Sequence, residues 1–361
     1  MEIYDNEIEK ENIPDNEITK ALEASKVQIP SGYIEINLST KGRLYAPASF
    51  HIRNFTTEDL MGIALTDDEN LPVKVVEMLD KLILEENVSV REFHEEEVTE
   101  TLFILYRTFY SDSIKEIEYI PTEKDYKFLA EKNGGEDSDD YKSLVRSLKN
   151  RSWNPKIDIN LDSVEIYECP ENLKTVASVK KANGFTCKYS MPRYGDVIQL
   201  RECLSRVFSE RDKSFESIER TIKFAEKEEQ RWRNGENVNL RAIPRVPKVE
   251  KEKYDEYQLE KSVFLMRAIR ALHLEEFNGQ DVSTWPLDKK YELAKDPELD
   301  YPTFKKIADA FSNIKIGIND HVKVRSPICK EVLDYEYKFR LFTLLQAIQN
   351  NGADGTIIDF E

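Results

Sequence analysis

The apolar period of this chain changes three times. Between Pro155 and Pro192 lie three short runs, KIDINLDSVEIYE, LKTVASVKKA and GFTCKYSMP, rich in β-branched and aromatic residues and bounded by Pro155, Pro170, Gly184 and Pro192. Such runs read as strands, because side chains branched at Cβ suit a pleated backbone while Pro and Gly interrupt it. On both sides of them the apolar residues recur at the spacing of one helix face. A chain with both periods is neither an all-helical bundle nor an all-β barrel. It is expected to be α+β and predominantly helical, with a small β-hairpin, a small central sheet and a C-terminal α-helical domain.

Before the strands, apolar and polar residues alternate at Tyr33, Ile34, Ile36 and Leu38 and again at Phe50 and Ile52, with a turn at 39–42, which predicts a β-hairpin. Thr56, Thr57, Glu58 and Asp59 supply hydroxyl caps and first-turn acids for a helix over 57–64. Pro72 opens a second helix with Val75, Val76, Leu79, Leu82 and Ile83 on its stripe, and 95–110 is a third, with Val98, Leu102, Leu105 and Phe109. The run NGGEDSDD at 133–140 reads as a loop. Beyond the strands, 196–206 and 215–233 read as a helical pair. After residue 254 a stripe of Leu259, Val263, Met266, Ile269 and Leu272 marks a helix with a core-facing side, followed by helices over 303–311 and 337–349. The expected organisation is an acidic extension at 1–30, a β-hairpin plus helices at 31–130, a small sheet plus helical pair at 141–233, a basic Pro-containing linker at 234–250 and an α-helical domain at 251–361.

Charge and composition narrow the function. The 361 residues carry 52 Lys+Arg against 69 Asp+Glu, a net charge of −17, which disfavours a protein that coats nucleic acid, because such binding rests on cations that displace counterions. With 40% hydrophobic residues the chain can nevertheless build real cores. No apolar run approaches the roughly 20 residues that span a bilayer, and the acidic start lacks the pattern of a secretion signal, so a cytoplasmic protein without membrane contact is expected. Cys169, Cys187, Cys203 and Cys329 form no C-x-x-C pair and read as packed thiols.

Chemistry-bearing motifs are sparse. Phosphate-cradling glycine loops and the H-E-x-x-H zinc pair are absent from the sequence. His51, His94, His273 and His321 stand in four separate segments, so an enzymatic site would have to assemble from them and from scattered carboxylates in three dimensions. His321 and Cys329 flank a strand-like run, but zinc needs four ligands and no second cysteine is near, so no metal or cofactor is expected. The acids Glu95, Glu96 and Glu97 read as a solvated, dipole-favoured first turn. The distinctive cluster is basic: Arg231, Trp232, Arg233, Arg241, Arg245 and Lys248, against the single acid Glu236, give a local +4 in an acidic protein. Arginines beside a tryptophan have the composition of a contact surface for an acidic partner, the acidic extension of another copy included.

Several segments in order resemble the family of T-even-type phage baseplate hub and tail assembly proteins. They are IPSGYIEINLSTKGRLYAP followed by FHIRNFTTEDLMGIAL, then FTCKYSMPRYGDVIQLREC, VFLMRAIRALHLEEFNGQDVSTWP and IKIGINDHVKVRSPICKEVLDYEYKFRLF, spread over roughly residues 29–345. The resemblance implies a non-enzymatic structural or assembly protein of the tail baseplate, in its hub or wedge region. It would work through contacts with other tail and baseplate proteins or with further copies of itself, in the host cytoplasm during assembly, and would either stay in the virion tail baseplate or act only transiently on hub components. Arg325 and Ser326 stand where a partner to Cys329 would be wanted, so a zinc ribbon is not expected. The rival reading is a hydrolase or nucleic-acid-processing enzyme, which requires a deep pocket lined by histidines or converging carboxylates.

Overall fold

The computed structural model describes residues 29–64, 66, 70–233, 239, 243–340 and 344–345. The acidic extension therefore lies almost wholly outside the described residues, as does most of the helix expected at 337–349. Strands β1 (Tyr33–Asn37) and β2 (Ser49–Arg53) form the expected antiparallel hairpin, with Ile36 opposite Phe50. Helix α1 (Thr57–Ala64) follows, opened by Thr56 and Asp59: the Thr56 amide donates to the Asp59 carboxylate (2.9 Å) and the Asp59 amide to Thr56 Oγ1 (3.2 Å). This reciprocal cap satisfies two amides that the first turn leaves unpaired. Next come α2 (Leu71–Leu82) and α3 (Glu95–Phe109), with Leu79, Leu82, Val98, Leu102 and Leu105 fully buried.

The middle of the chain runs β3 (Ser113–Glu118), α4 (Glu123–Lys132), α5 (Asp139–Lys149), β4 (Lys156–Asn160), β5 (Ile166–Tyr167), β6 (Val176–Lys180) and β7 (Thr186–Ser190). Then follow α6 (Tyr194–Arg233), α7 (Lys248–Leu272), β8 (Leu274–Phe277), β9 (Gln280–Asp281), α8 (Leu287–Leu293), α9 (Tyr301–Ser312), β10 (Gly317–Ile318), β11 (His321–Arg325) and β12 (Val332–Glu336). The molecule is mixed α+β and predominantly helical. Its largest sheet is the antiparallel β6-β7-β8-β9, and the other strands form two-stranded pairs, β1-β2, β3-β4, β10-β5 and β11-β12.

Three sequence expectations change. The strands at 156–190 do not share one sheet. β4 pairs with β3, β5 with the distant β10, and only β6 and β7 pair with each other. Alternation marks a strand without naming its neighbour; burial does the sorting, since Ile157 and Ile159 of β4 join a different core from Cys187 and Tyr189 of β7. The stretches 196–206 and 215–233 are one helix of 40 residues, because no Gly or Pro interrupts 207–214 and ion pairs hold that stretch. The helix expected from residue 254 begins at Lys248, and its described approach, 243–247, is non-helical.

The first core reaches from Ile36 to Leu345. The returning C-terminal segment seals it: Phe339 packs edge-on against Phe103 at 5.5 Å and Tyr335 stacks on Tyr119 at 5.1 Å. A second core, with Phe185, Tyr189, Leu274 and Ile307, lies under the four-stranded sheet and α9.

Candidate contact arm and polar cavity

Helix α6 leaves the first core, where Tyr194 and Ile198 are buried and the Tyr194 amide donates to the Phe93 carbonyl at 2.6 Å. It then passes α7, with Phe208 packing on Tyr257 and Phe264 at 6.0 and 5.2 Å. Beyond Phe208 none of its described residues is buried. At 1.5 Å per residue the stretch 209–233 extends about 37 Å past the cores. There α6 and α7 support mainly each other. Phe215 stacks on Tyr257 at 4.8 Å, Arg211 forks onto Glu260 with two bonds of 2.8 Å, and Asp212 accepts from Lys261 at 2.6 Å and from the Tyr257 hydroxyl. Aromatic packing plus a bidentate ion pair fixes the register of the two helices.

This antiparallel pair carries much of the uncovered apolar surface: Val197, Val207, Phe224, Trp232, Val249, Leu259 and Met266 are all exposed. The stripe expected to face a core behaves otherwise. Leu259 is 66% and Met266 47% exposed, while the residues of α7 that are buried are Tyr257, Ala268 and Ala271. The stripe instead borders a groove of about 540 Å³, lined by Val207, Leu259, Val263, Phe264 and Tyr291. The helical period was read correctly. Its buried side was not, because the aromatic residues at 254, 257 and 264 take the contact with α6.

Among the residues of the basic cluster, Trp232, Arg233 and Arg245 line one cleft at the end of the pair, together with Ile222, Ile243 and Val246. Arg241 lies outside the described residues. Arg231 pairs with Glu228 at 2.7 Å, Arg233 with Glu229 at 3.9 Å and Lys248 with Glu252 at 3.7 Å. Acids about one helical turn away thus offset part of the local +4. The Trp232 ring is exposed beside the also exposed side chains of Arg231, Arg233, Arg245 and Lys248.

Of the acids that open α3, Glu95 is exposed as expected of a solvated first turn, but Glu96 is half-buried and Glu97 is not solvated at all. Glu97 is fully buried and accepts from Thr40 Oγ1 (2.8 Å), the Ala46 amide (3.1 Å) and the His94 amide (3.0 Å). Glu100 takes the Ser39 amide and hydroxyl at 2.8 and 2.7 Å. Both carboxylates therefore pin the turn of the β1-β2 hairpin. Burial, reinforced by Glu95, Asp320 and Glu100, pushes Glu96 up to about 7. His94 caps the same helix, its Nδ1 accepting the Glu96 amide at 3.2 Å, a role that needs the neutral ring; burial holds it down at about 4.

The turn at 326–329 is organised by a carboxylate. Ser326 Oγ accepts the Ile328 and Cys329 amides at 3.0 and 3.1 Å and donates to Asp125 at 2.5 Å. Asp125 also accepts from the Tyr119 hydroxyl (2.5 Å) and from the Thr122 amide (2.9 Å). Burial would raise its carboxyl, but these hydrogen bonds outweigh burial and hold it at about 2. Among the described residues no group of three or more His, Cys, Asp or Glu side chains is placed to hold a metal ion. All four cysteines are buried free thiols.

The histidines are dispersed. The half-buried His51 meets Glu85 through Nδ1 at 2.7 Å on β2, and the exposed His321 meets Asp334 through Nδ1 at 3.3 Å on β11. His273 borders a cavity of about 180 Å³, which it shares with Asp196, Glu275 and Lys290. Asp196 and Lys290 carried no signal in the sequence, since an acid in a helix start and a lysine in a Lys-Lys pair read as surface residues. No helix among the described residues is long and apolar enough to cross a membrane. The chain matches no model of a known family, no curated protein and no solved structure.

Proposed function

We propose that the protein is a non-enzymatic structural or assembly protein that works through protein contacts, and that the α6-α7 pair is the arm that makes them. The observation that carries this reading is the stripe of Leu259, Val263 and Met266, which has helical spacing: Leu259 and Met266 are exposed, and Leu259 and the half-buried Val263 border a largely apolar groove. An apolar groove between helices receives an apolar helix face of a partner. The phage tail baseplate is the setting suggested by the order of motifs, and the partner proposed for the arm is another baseplate subunit. A cross-linking amino acid placed at Leu259 in assembling cells is expected to capture such a subunit, whereas one placed at exposed Lys305 of α9 is expected to capture none. Equal capture from both positions, or capture of nothing from Leu259, contradicts the proposal. The enzymatic alternative draws support from one place, the cavity beside His273, which brings a single histidine and two carboxylates together.

A further inference from the structure

The cavity of about 180 Å³ lies where the first turns of α6, the start of β8 and the short α8 meet, away from the groove on α7. Lys290 lines it with only 5% of its surface exposed, and its ammonium makes no ion pair or side-chain hydrogen bond among the described residues. The stem of Lys290 is therefore buried while its ammonium faces the cavity, as is usual for a long charged side chain. One polar atom on the same wall is buried and unsatisfied: His273 Nδ1 lies 3.4 Å from Asp196 Oδ2 yet has no hydrogen-bond partner. Burial pushes both groups below their ordinary ranges, although Asp196 and Glu275 pull the other way.

The other cation on the lining is committed elsewhere. Arg193 binds Glu92 at 2.9 Å and lies over the Tyr45 ring at 4.6 Å. The lining thus offers one unpaired ammonium, from Lys290, and two carboxylates, from Asp196 and Glu275, with Trp285 and Leu287 as an apolar wall. A simple anion would meet Lys290 but be repelled by the two acids, and a simple cation would meet the reverse. A small molecule that carries both an anion and a cation satisfies both.

We infer that this cavity binds a small zwitterion of the free α-amino acid class. Its carboxylate sits on Lys290, its ammonium faces Asp196 and Glu275, and its side chain lies against Trp285. The site is independent of the contact arm. Thermal unfolding of the full chain with single free L-amino acids at millimolar concentration tests it, with acetate, ethylammonium and inorganic phosphate as probes of one charge sign. At least one amino acid is expected to raise Tm by several degrees while the three single-sign probes do not. Lys290→Met is expected to abolish that shift. Glu275→Gln, at a half-buried position, is expected to lose the shift too, and it serves as the test if Lys290→Met does not fold. No shift with any amino acid, equal shifts with acetate or phosphate, or a shift that survives Glu275→Gln each overturns the inference.

Discussion

Glu96 and His94, two residues apart at the start of α3, titrate in opposite senses, and pH separates their effects. Glu96 ionises at about 7 in the fold against an ordinary value of 4.5, so the folded chain holds an extra proton between those limits. Stability from this group is therefore highest below about pH 4.5 and falls as pH rises through about 7. His94 is depressed to about 4 from 6.5, so its contribution is complete above 6.5 and is lost as pH falls toward 4. Glu96→Gln mimics the protonated acid. It is expected to raise stability at pH 8 by about 2 kcal/mol and to leave it nearly unchanged at pH 5, read from urea unfolding at the two pH values. A gain of equal size at both would show that the carboxyl is not held protonated by its surroundings. None of this was legible in the sequence, where three consecutive acids at a helix start look solvated. The burial of Glu97 and Glu100 comes with the turn of the hairpin, which lays Thr40 and Ser39 onto them.

At the scale of elements, the β1-β2 hairpin and the helices α1 to α3 were legible to within a residue or two, because their stripes and caps are local. Where a distant segment decides, local pattern falls short. β3 goes unrecognised until β4 pairs with it, and the side of α7 that is buried follows from aromatic contacts with α6 rather than from its most regular apolar stripe. The arm gives a prediction of its own. Leu259 touches no core, so Leu259→Asp is expected to change the free energy of unfolding by no more than about 0.5 kcal/mol, whereas Phe208→Ala, at the fully buried root of the pair, is expected to cost about 3–5 kcal/mol. Calorimetry of the two variants checks the contrast. A Leu259→Asp protein as damaged as Phe208→Ala would mean that the stripe is core and not a contact surface.

For the molecule as a whole, burial ties the two ends of the described chain together. Val324, Tyr335 and Leu345 share a core with Ile36 and Phe50, so the hairpin and the C-terminal strands are set in one body from which the arm extends. Composition foresaw solid cores and a solvated surface; it could not foresee that closure, since contacts between residues more than 200 positions apart leave no local trace. The proposed contact role rests on the arm that extends from this body. Quantitative mass spectrometry of purified phage tails and of tail intermediates from infected cells tests that role most directly. The account predicts the chain at a fixed ratio to baseplate subunits in the tails, the intermediates or both, and its loss from them in the Leu259→Asp variant despite normal folding. Absence of the unaltered chain from both fractions, or full incorporation of Leu259→Asp, would contradict it.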